Sequence, residues 1–375
     1  TTARKDIYLQ SHKPVLEQDE AVGHAVRAGY MYSGMADVAA ITGDTSYIHA
    51  IDRIWENIVG KKIYITGGIG ARHEGEAFGD NYELPNLTAY NETCAAIGNV
   101  YTNYRLFLLH GDAKYFDVLE RSLYNGLISG VSLDGGRFFY PNPLACDGKY
   151  RFNADHTITR QPWFGCACCP SNISRFIPSL PGYVYAVKDD KVYVNLFLSN
   201  RAELKVNGKN VVLEQETSYP WNGDIRLTVA KGNQPFVMNV RIPGWVRGSV
   251  LPGDLYAYAD REKLAYRVSV NGQEVKGALQ NGYLSIDRRW KKGDVVEIHF
   301  DMQPRVVKAN DKVAADRGRV AIERGPLVYC AEWPDNDFNI STLLLNRHPK
   351  FQLVERPDLL GGINEITTRA QALSY

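Results

Sequence analysis

The strongest constraint on this chain is an internal repeat: a helix, a tight Gly-Asp turn and a second helix. Gly43-Asp44 precedes Tyr47-Ile48 and Ile51-Asp52-Arg53; Gly111-Asp112 precedes Tyr115-Phe116 and Leu119-Glu120-Arg121. The offset is 68 residues at both landmarks (111 − 43 and 115 − 47). Apolar residues recur at helical spacing before each turn. They are Val22, Val26, Tyr30, Met35 and Val38 in the first copy, and Ile97, Val100, Tyr101, Tyr104 and Leu108 in the second. Repeated helical hairpins stack side by side to bury their apolar faces, as an open array or as part of a closed α/α toroid. Two copies cannot close such a ring alone. Gly60 is the expected stop of the first hairpin's second helix, and the last helix is expected to run through Leu123.

Past about residue 182 the periodicity changes from helical to alternating. Residues 191–198, 202–206, 224–229, 236–242 and 266–270 alternate with period two, and 283–286 and 295–300 read as further strands. Asn207-Gly208 and Asn271-Gly272 sit between strand-like runs, a strong hairpin signal. The expected fold is multidomain α plus β. Residues 1–182 form part of an (α/α) toroid of helical hairpins, and residues 183–375 form one or two β-sandwiches. The β half shows no chemical constellation, so its expected role is to brace the helical half or wall its site.

Composition excludes several classes. The formal net charge is +1 and no dense Lys/Arg stripe occurs, so nucleic acid is not an expected partner. No apolar run approaches the ~18 residues that span a bilayer, so no membrane association is expected. The chain opens TTARKDIYLQ, without a signal-like apolar segment or an initiator Met, as a processed or truncated piece would. The 23 tyrosines suit sugar sites and β-sheets alike, the sheet being the commoner use.

Six cysteines occur, three of them within Cys166-Ala167-Cys168-Cys169. Such crowding is not a disulfide scaffold, and a chain this long needs none. Metal binding or catalysis is the better use, with buried structural thiols as the alternative. Glu92 and Cys94 with Cys168 and Cys169 would make a tetrahedral Zn²⁺ shell of three thiolates and a carboxylate, leaving Cys166 spare. Residues two apart do not share a face of a regular helix. Glu92 and Cys94 would therefore ligate together more easily where a helix is starting.

Glu76 lies in a long Gly-rich segment, residues 63–87, beside Ala77 and Phe78. Desolvation there would raise its pKa and suit a general acid, with Glu74, Asp80 and Glu83 as competitors. A lone His24 among apolar residues is more often a satisfied core residue than a ligand. Gly67-Gly68-Ile69-Gly70 lacks the ending of a phosphate loop, and neither GxSxG nor HExxH occurs.

The runs TGGIGARHEGEAFGDNYELPNLTAYNETCAAIGN, FFYPNPL and WFGCACCPSN resemble glycoside hydrolase family 127, typified by β-L-arabinofuranosidases. The opening run QSHKPVLEQDEAVGHAVRAGYMYSGMAD is similar too. The resemblance implies a retaining hydrolase acting on an oligosaccharide or glycoside, with terminal β-L-arabinofuranose as the expected sugar. It implies a Zn²⁺ held by Glu92, Cys94, Cys168 and Cys169. Cys168 is then the nucleophile and Glu76 the acid/base, while His24 and Tyr140 match substrate-contacting positions. Family members extend further at the N-terminus, so residues 1–182 are expected to be the C-terminal half of an (α/α)6-type catalytic domain. Rival expectations are a same-fold hydrolase for another furanose or branched sugar, a non-catalytic glycan-binding module with structural zinc, and a zinc thiol redox sensor. A homodimer stays open as an expectation. Reduced zinc thiolates favour the cytoplasm over the periplasm.

Overall fold

The computed structural model describes residues 2–260, 262–336 and 339–372. Helices dominate as far as Phe176 and strands begin at Tyr185. The helices are α1 (Thr2–Tyr8), α2 (Ala25–Thr42), α3 (Thr45–Lys61), α4 (Thr93–His110), α5 (Ala113–Arg121) and α6 (Cys168–Phe176).

The two Gly-Asp turns work identically. Gly43 ends α2 at φ 71° and Gly111 ends α4 at φ 67°, the left-handed conformation that glycine adopts without strain. The aspartate that follows caps the next helix: Asp44 accepts from Ser46 N at 2.9 Å, and Asp112 from Lys114 N at 2.9 Å. One residue thus stops a helix and the next starts another, which folds each pair into a hairpin. The hairpins meet where α2 crosses α4. A Cβ on Gly29 would stand 3.1 Å from the Gly98 carbonyl carbon, so any larger residue would push the two helices apart by a few tenths of an ångström.

Two helix ends differ from expectation. Gly60 does not stop α3, which runs on to Lys61 while the Lys62 amide bonds Ile58 O. The Lys62 ammonium turns inward to Glu20 Oε1 at 2.7 Å and Ala21 O at 2.8 Å. Helix α5 ends at Arg121 and widens into a π-turn, Ser122–Leu127. The wider turn lets Ser122 Oγ donate to Gly67 O at 2.8 Å, and Gly126 N to Thr66 O at 2.9 Å. These bonds grip the base of the Gly-rich segment.

The tip of that segment is pinned as well. Arg72 and Ala77 exchange backbone bonds of 2.9 and 3.0 Å, and Phe78 N donates to Gly23 O at 2.9 Å. The segment is therefore ordered, and it sets Glu76 beside the residue that caps α2.

The β half contains a four-stranded sheet ordered Tyr185–Lys188, Lys191–Val194, Asn233–Arg241, Tyr283–Lys291. Its central pairing is parallel. A six-stranded antiparallel sheet runs Asn200–Val206, Lys209–Thr217, Asp224–Lys231, Val295–Phe300, Tyr266–Val270, Gln273–Glu274. Both Asn-Gly pairs form hairpin turns with positive φ at each residue. The strand expected over 191–198 ends at Val194. A third sheet of four strands and two two-stranded ribbons follow.

Buried charge joins the two halves. Arg241 reaches Asp117 at 2.9 Å and Glu120 at 2.5 Å, all three side chains being at most 7 % exposed. Tyr219 donates to Glu120 at 2.8 Å, and Arg121 pairs with Glu323 at 2.7 Å. Helix α5 thus carries charged residues inward because strands from the β half supply partners.

Candidate metal centre and acid/base site

Glu92 is the N-cap of α4, with φ −61° and ψ 137°. Its extended backbone is what allows Glu92 and Cys94 to face one point, as their spacing favours. Cys168 and Cys169 open α6, so two helix N-termini converge, with their partial positive charge favouring thiolate and carboxylate. The four candidate ligand atoms lie within 4.8 Å of one another. Cys94 and Cys169 sulfurs are 3.5 Å apart, and those of Cys168 and Cys169 are 3.8 Å apart. Glu92 Oε1 is 3.5 Å from Cys168 Sγ and 3.4 Å from Cys169 Sγ.

These separations fit a shared metal ion. Bonds of about 2.3 Å to sulfur and about 2.0 Å to oxygen in a tetrahedron give edges of about 3.8 and 3.5 Å. A second observation agrees: Glu92 Oε2 is buried with no hydrogen-bond partner. The electrostatics suit a cation too. Burial pushes the Glu92 carboxyl and the Cys169 thiol well above their ordinary values. Cys94 is pushed up chiefly by its hydrogen bond to Cys168. Cys168 alone is driven down, to about 2, because Cys169 and Cys94 donate to it. Four crowded acids share one negative charge until a positive ion lets the rest ionise. Acid reverses this, so metal should leave as the pH falls from about 8 to about 4, the thiols taking up protons. Metal content after dialysis at each pH checks it, and retention throughout would contradict a three-thiolate shell.

The four differ in access. Glu92, Cys94 and Cys169 are buried, whereas Cys168 is partly open. Tyr140 Oη lies 2.8 Å from Cys168 Sγ, so Tyr140 touches the candidate nucleophile itself. Burial holds the Tyr140 phenol protonated, and it can only donate to a thiolate. Its position is set by Thr93, whose amide and hydroxyl donate to Tyr140 O at 3.0 and 3.3 Å, and by Asn153, which accepts from Tyr140 N at 2.9 Å. Spare Cys166 is exposed and outside the group.

Glu76 is held on both oxygens. His24 Nε2 lies 2.8 Å from Oε2, and Tyr90 donates to Oε1 at 3.0 Å. His24 is the N-cap of α2, its Nδ1 accepting from Arg27 N at 3.5 Å, which places the proton on Nε2. The expected upward pKa shift of Glu76 is corrected. The His24 hydrogen bond, aided by Tyr90, outweighs desolvation and holds the carboxyl below its ordinary value. Its competitors are occupied or outside: Asp80 and Glu83 pair with Arg72, and Glu74 is exposed. Tyr90, buried two residues before Glu92, is a site residue that sequence reasoning missed. The sole hint was its place in the AYNETC run.

Family models for the β-L-arabinofuranosidase GH127 catalytic, middle and C-terminal domains match residues 2–182, 191–302 and 304–365. The chain belongs to glycoside hydrolase family 127. A curated non-reducing end β-L-arabinofuranosidase of Bifidobacterium longum subsp. longum is 38% identical over 378 residues, covering 96% of this chain and 54% of the relative. A solved GH127 β-arabinofuranosidase is 76% identical with TM-score 0.96, covering 100% of this chain and 58% of that one. A GH127 β-L-arabinofuranosidase from Geobacillus stearothermophilus T6 is 42% identical with TM-score 0.90, covering 98% and 56%. The chain thus spans somewhat more than half the length of these relatives. No helix among the described residues is long and apolar enough to cross a membrane.

Proposed function

We propose that this chain carries the catalytic centre of a retaining glycoside hydrolase that releases terminal β-L-arabinofuranose from a glycoside. Cys168 is the nucleophile and Glu76 the acid/base in this reading. The observation that carries it is the exposure of one thiol, Cys168, from an otherwise buried Glu-Cys-Cys-Cys group. A structural site needs no proton donor beside it, so a Glu76 carboxyl near enough to interact with Cys168 counts against a non-catalytic module. The sugar is the one named for the β-L-arabinofuranosidase relatives. The hairpins would belong to a toroid, the β half to sandwich domains.

Zn²⁺ is the metal this donor set suits, and when bound it would keep all three thiols ionised. The Cys168 thiolate attacks the anomeric carbon while the bond to the leaving oxygen breaks. Glu76, protonated for this step, gives its proton to that oxygen. A sulfur-linked glycosyl intermediate remains on Cys168. Glu76, now a carboxylate, takes a proton from water, whose oxygen attacks the same carbon and returns the thiolate. Two inversions give net retention. Tyr140 steadies the thiolate by donating to it, and in this reading His24, bonded to Glu76, would also contact the sugar.

Glu76→Gln should lower turnover of an alkyl β-L-arabinofuranoside about 10²–10⁴-fold with metal content unchanged. Assays against other furanosides alongside would identify the sugar. Turnover within twofold of wild type would refute the assignment.

A further inference from the structure

The two oxygens of Glu76 are not equivalent, and their difference rests on Tyr90. Tyr90 is 5 % exposed. Its ring sits between His73, at 5.0 Å edge-on, and Tyr140, at 6.3 Å. Its backbone is fixed on both sides, with Tyr90 N donating to Ala71 O at 3.4 Å and Tyr90 O accepting from Asn142 N at 3.0 Å. The phenol cannot swing away without unpacking these neighbours. Its hydroxyl is turned to Glu76, donating to Oε1 at 3.0 Å.

Glu76 as acid must carry its proton on one oxygen. A proton on Oε1 would face the Tyr90 hydroxyl. That hydroxyl would turn from donor to acceptor, and its own hydrogen would be left in a buried place without a partner. Stranding a buried donor is costly. A proton on Oε2 faces His24 Nε2 at 2.8 Å, which can accept it once the imidazole proton moves to Nδ1, at the cost only of the long 3.5 Å contact from Arg27 N.

We infer that Tyr90 is a positioning residue that locks Oε1 of Glu76 and thereby makes Oε2 the oxygen that transfers the proton. This rests on the reading of Glu76 as acid/base. In this reading Tyr90 acts through its hydrogen bond to Glu76. The same lock fixes the direction in which Oε2 points, so one oxygen serves as acid in the first step and as base in the second. The charged and titratable groups that interact with Glu76 are His24, Tyr90, Cys168 and Glu92.

The test compares Tyr90→Phe, Glu76→Gln and wild type, all metal-loaded and in the full-length protein, with an alkyl β-L-arabinofuranoside over a range of pH. Removing a donor to a carboxylate raises its pKa. The alkaline limb of kcat/KM, which reports loss of the acid form, should therefore move up by about one to two pH units in Tyr90→Phe. At the optimum, kcat should fall about tenfold or more, with KM within about twofold, because a misaimed acid weakens the transition state and not substrate binding. Replacing Tyr90 by 3-fluorotyrosine, a stronger donor of nearly the same shape, should move the limb down and guards against a Tyr90→Phe variant that fails to fold. An unmoved limb in both replacements overturns the inference. A fully active Glu76→Gln overturns the underlying reading instead, so the two failures are distinguishable.

Discussion

Cys168→Ser should abolish turnover, by about 10⁴-fold or more. A serine hydroxyl is far less acidic than a thiol and a weaker nucleophile; Tyr140 can only donate to it, and Glu92, the acceptor within reach, would be engaged by the metal. Metal analysis of the same preparation separates loss of chemistry from loss of the ion, since Glu92, Cys94 and Cys169 remain. A second measurement removes the ambiguity that arises if metal is lost as well. A slow substrate mixed with the wild-type protein and quenched in acid should leave one pentosyl unit on Cys168, seen by peptide mass spectrometry. Near-normal turnover in Cys168→Ser, or a pentosyl unit mapped to any other residue, would exclude Cys168 as the nucleophile.

Arg241→Met should have the largest effect on stability. It leaves Asp117 and Glu120 facing buried space without their cation, and breaking a buried ion pair on one side costs about 3–5 kcal/mol. Tm should fall by about 5 °C. The deficit should also depend on pH in a definite direction. Burial raises the folded-state pKa of Glu120 above its ordinary 4.5, with Arg241 opposing that rise. Without Arg241 the folded value climbs further. A group with a raised pKa contributes stability below its unfolded value and loses it as pH rises through the folded one. The variant should therefore be closest to wild type in mild acid and furthest from it in mild base. A pH-independent loss would point to packing rather than charge.

Much of the helical half could be read from residue patterns, because Gly-Asp turns and apolar spacing are local. Gly43-Asp44 and Gly111-Asp112 do what such a pair does in any helical hairpin. The preference for a helix start between Glu92 and Cys94 was likewise a matter of local geometry, and α4 meets it. Gly60 missed the end of α3 by one residue, Lys61 being its last. The pKa direction of Glu76 misled because it depends on contacts made only in the folded chain. Its neighbours in sequence, Ala77 and Phe78, suggest desolvation, whereas its neighbours in space, His24 and Tyr90, are donors. The strands of the β half could be read from alternation, but the parallel pairing of Lys191–Val194 with Asn233–Arg241 could not, since pairing partners leave no local signature. The Arg241 cluster was hidden likewise, joining α5 to strands more than a hundred positions downstream.

Every residue assigned to chemistry lies between positions 24 and 169, while the cations and anions that lock α5 come from positions 241 and 323. Lesions in this chain should therefore fall into two populations with different cellular symptoms. Changes in the downstream half would deplete the amount of protein while leaving each surviving molecule competent. Changes at Glu76 or Cys168 would leave abundant, inert molecules. A saturation library scored separately for abundance and for sugar release would sort along the chain accordingly, and a chaperone-rich or cooler host would rescue the first population alone.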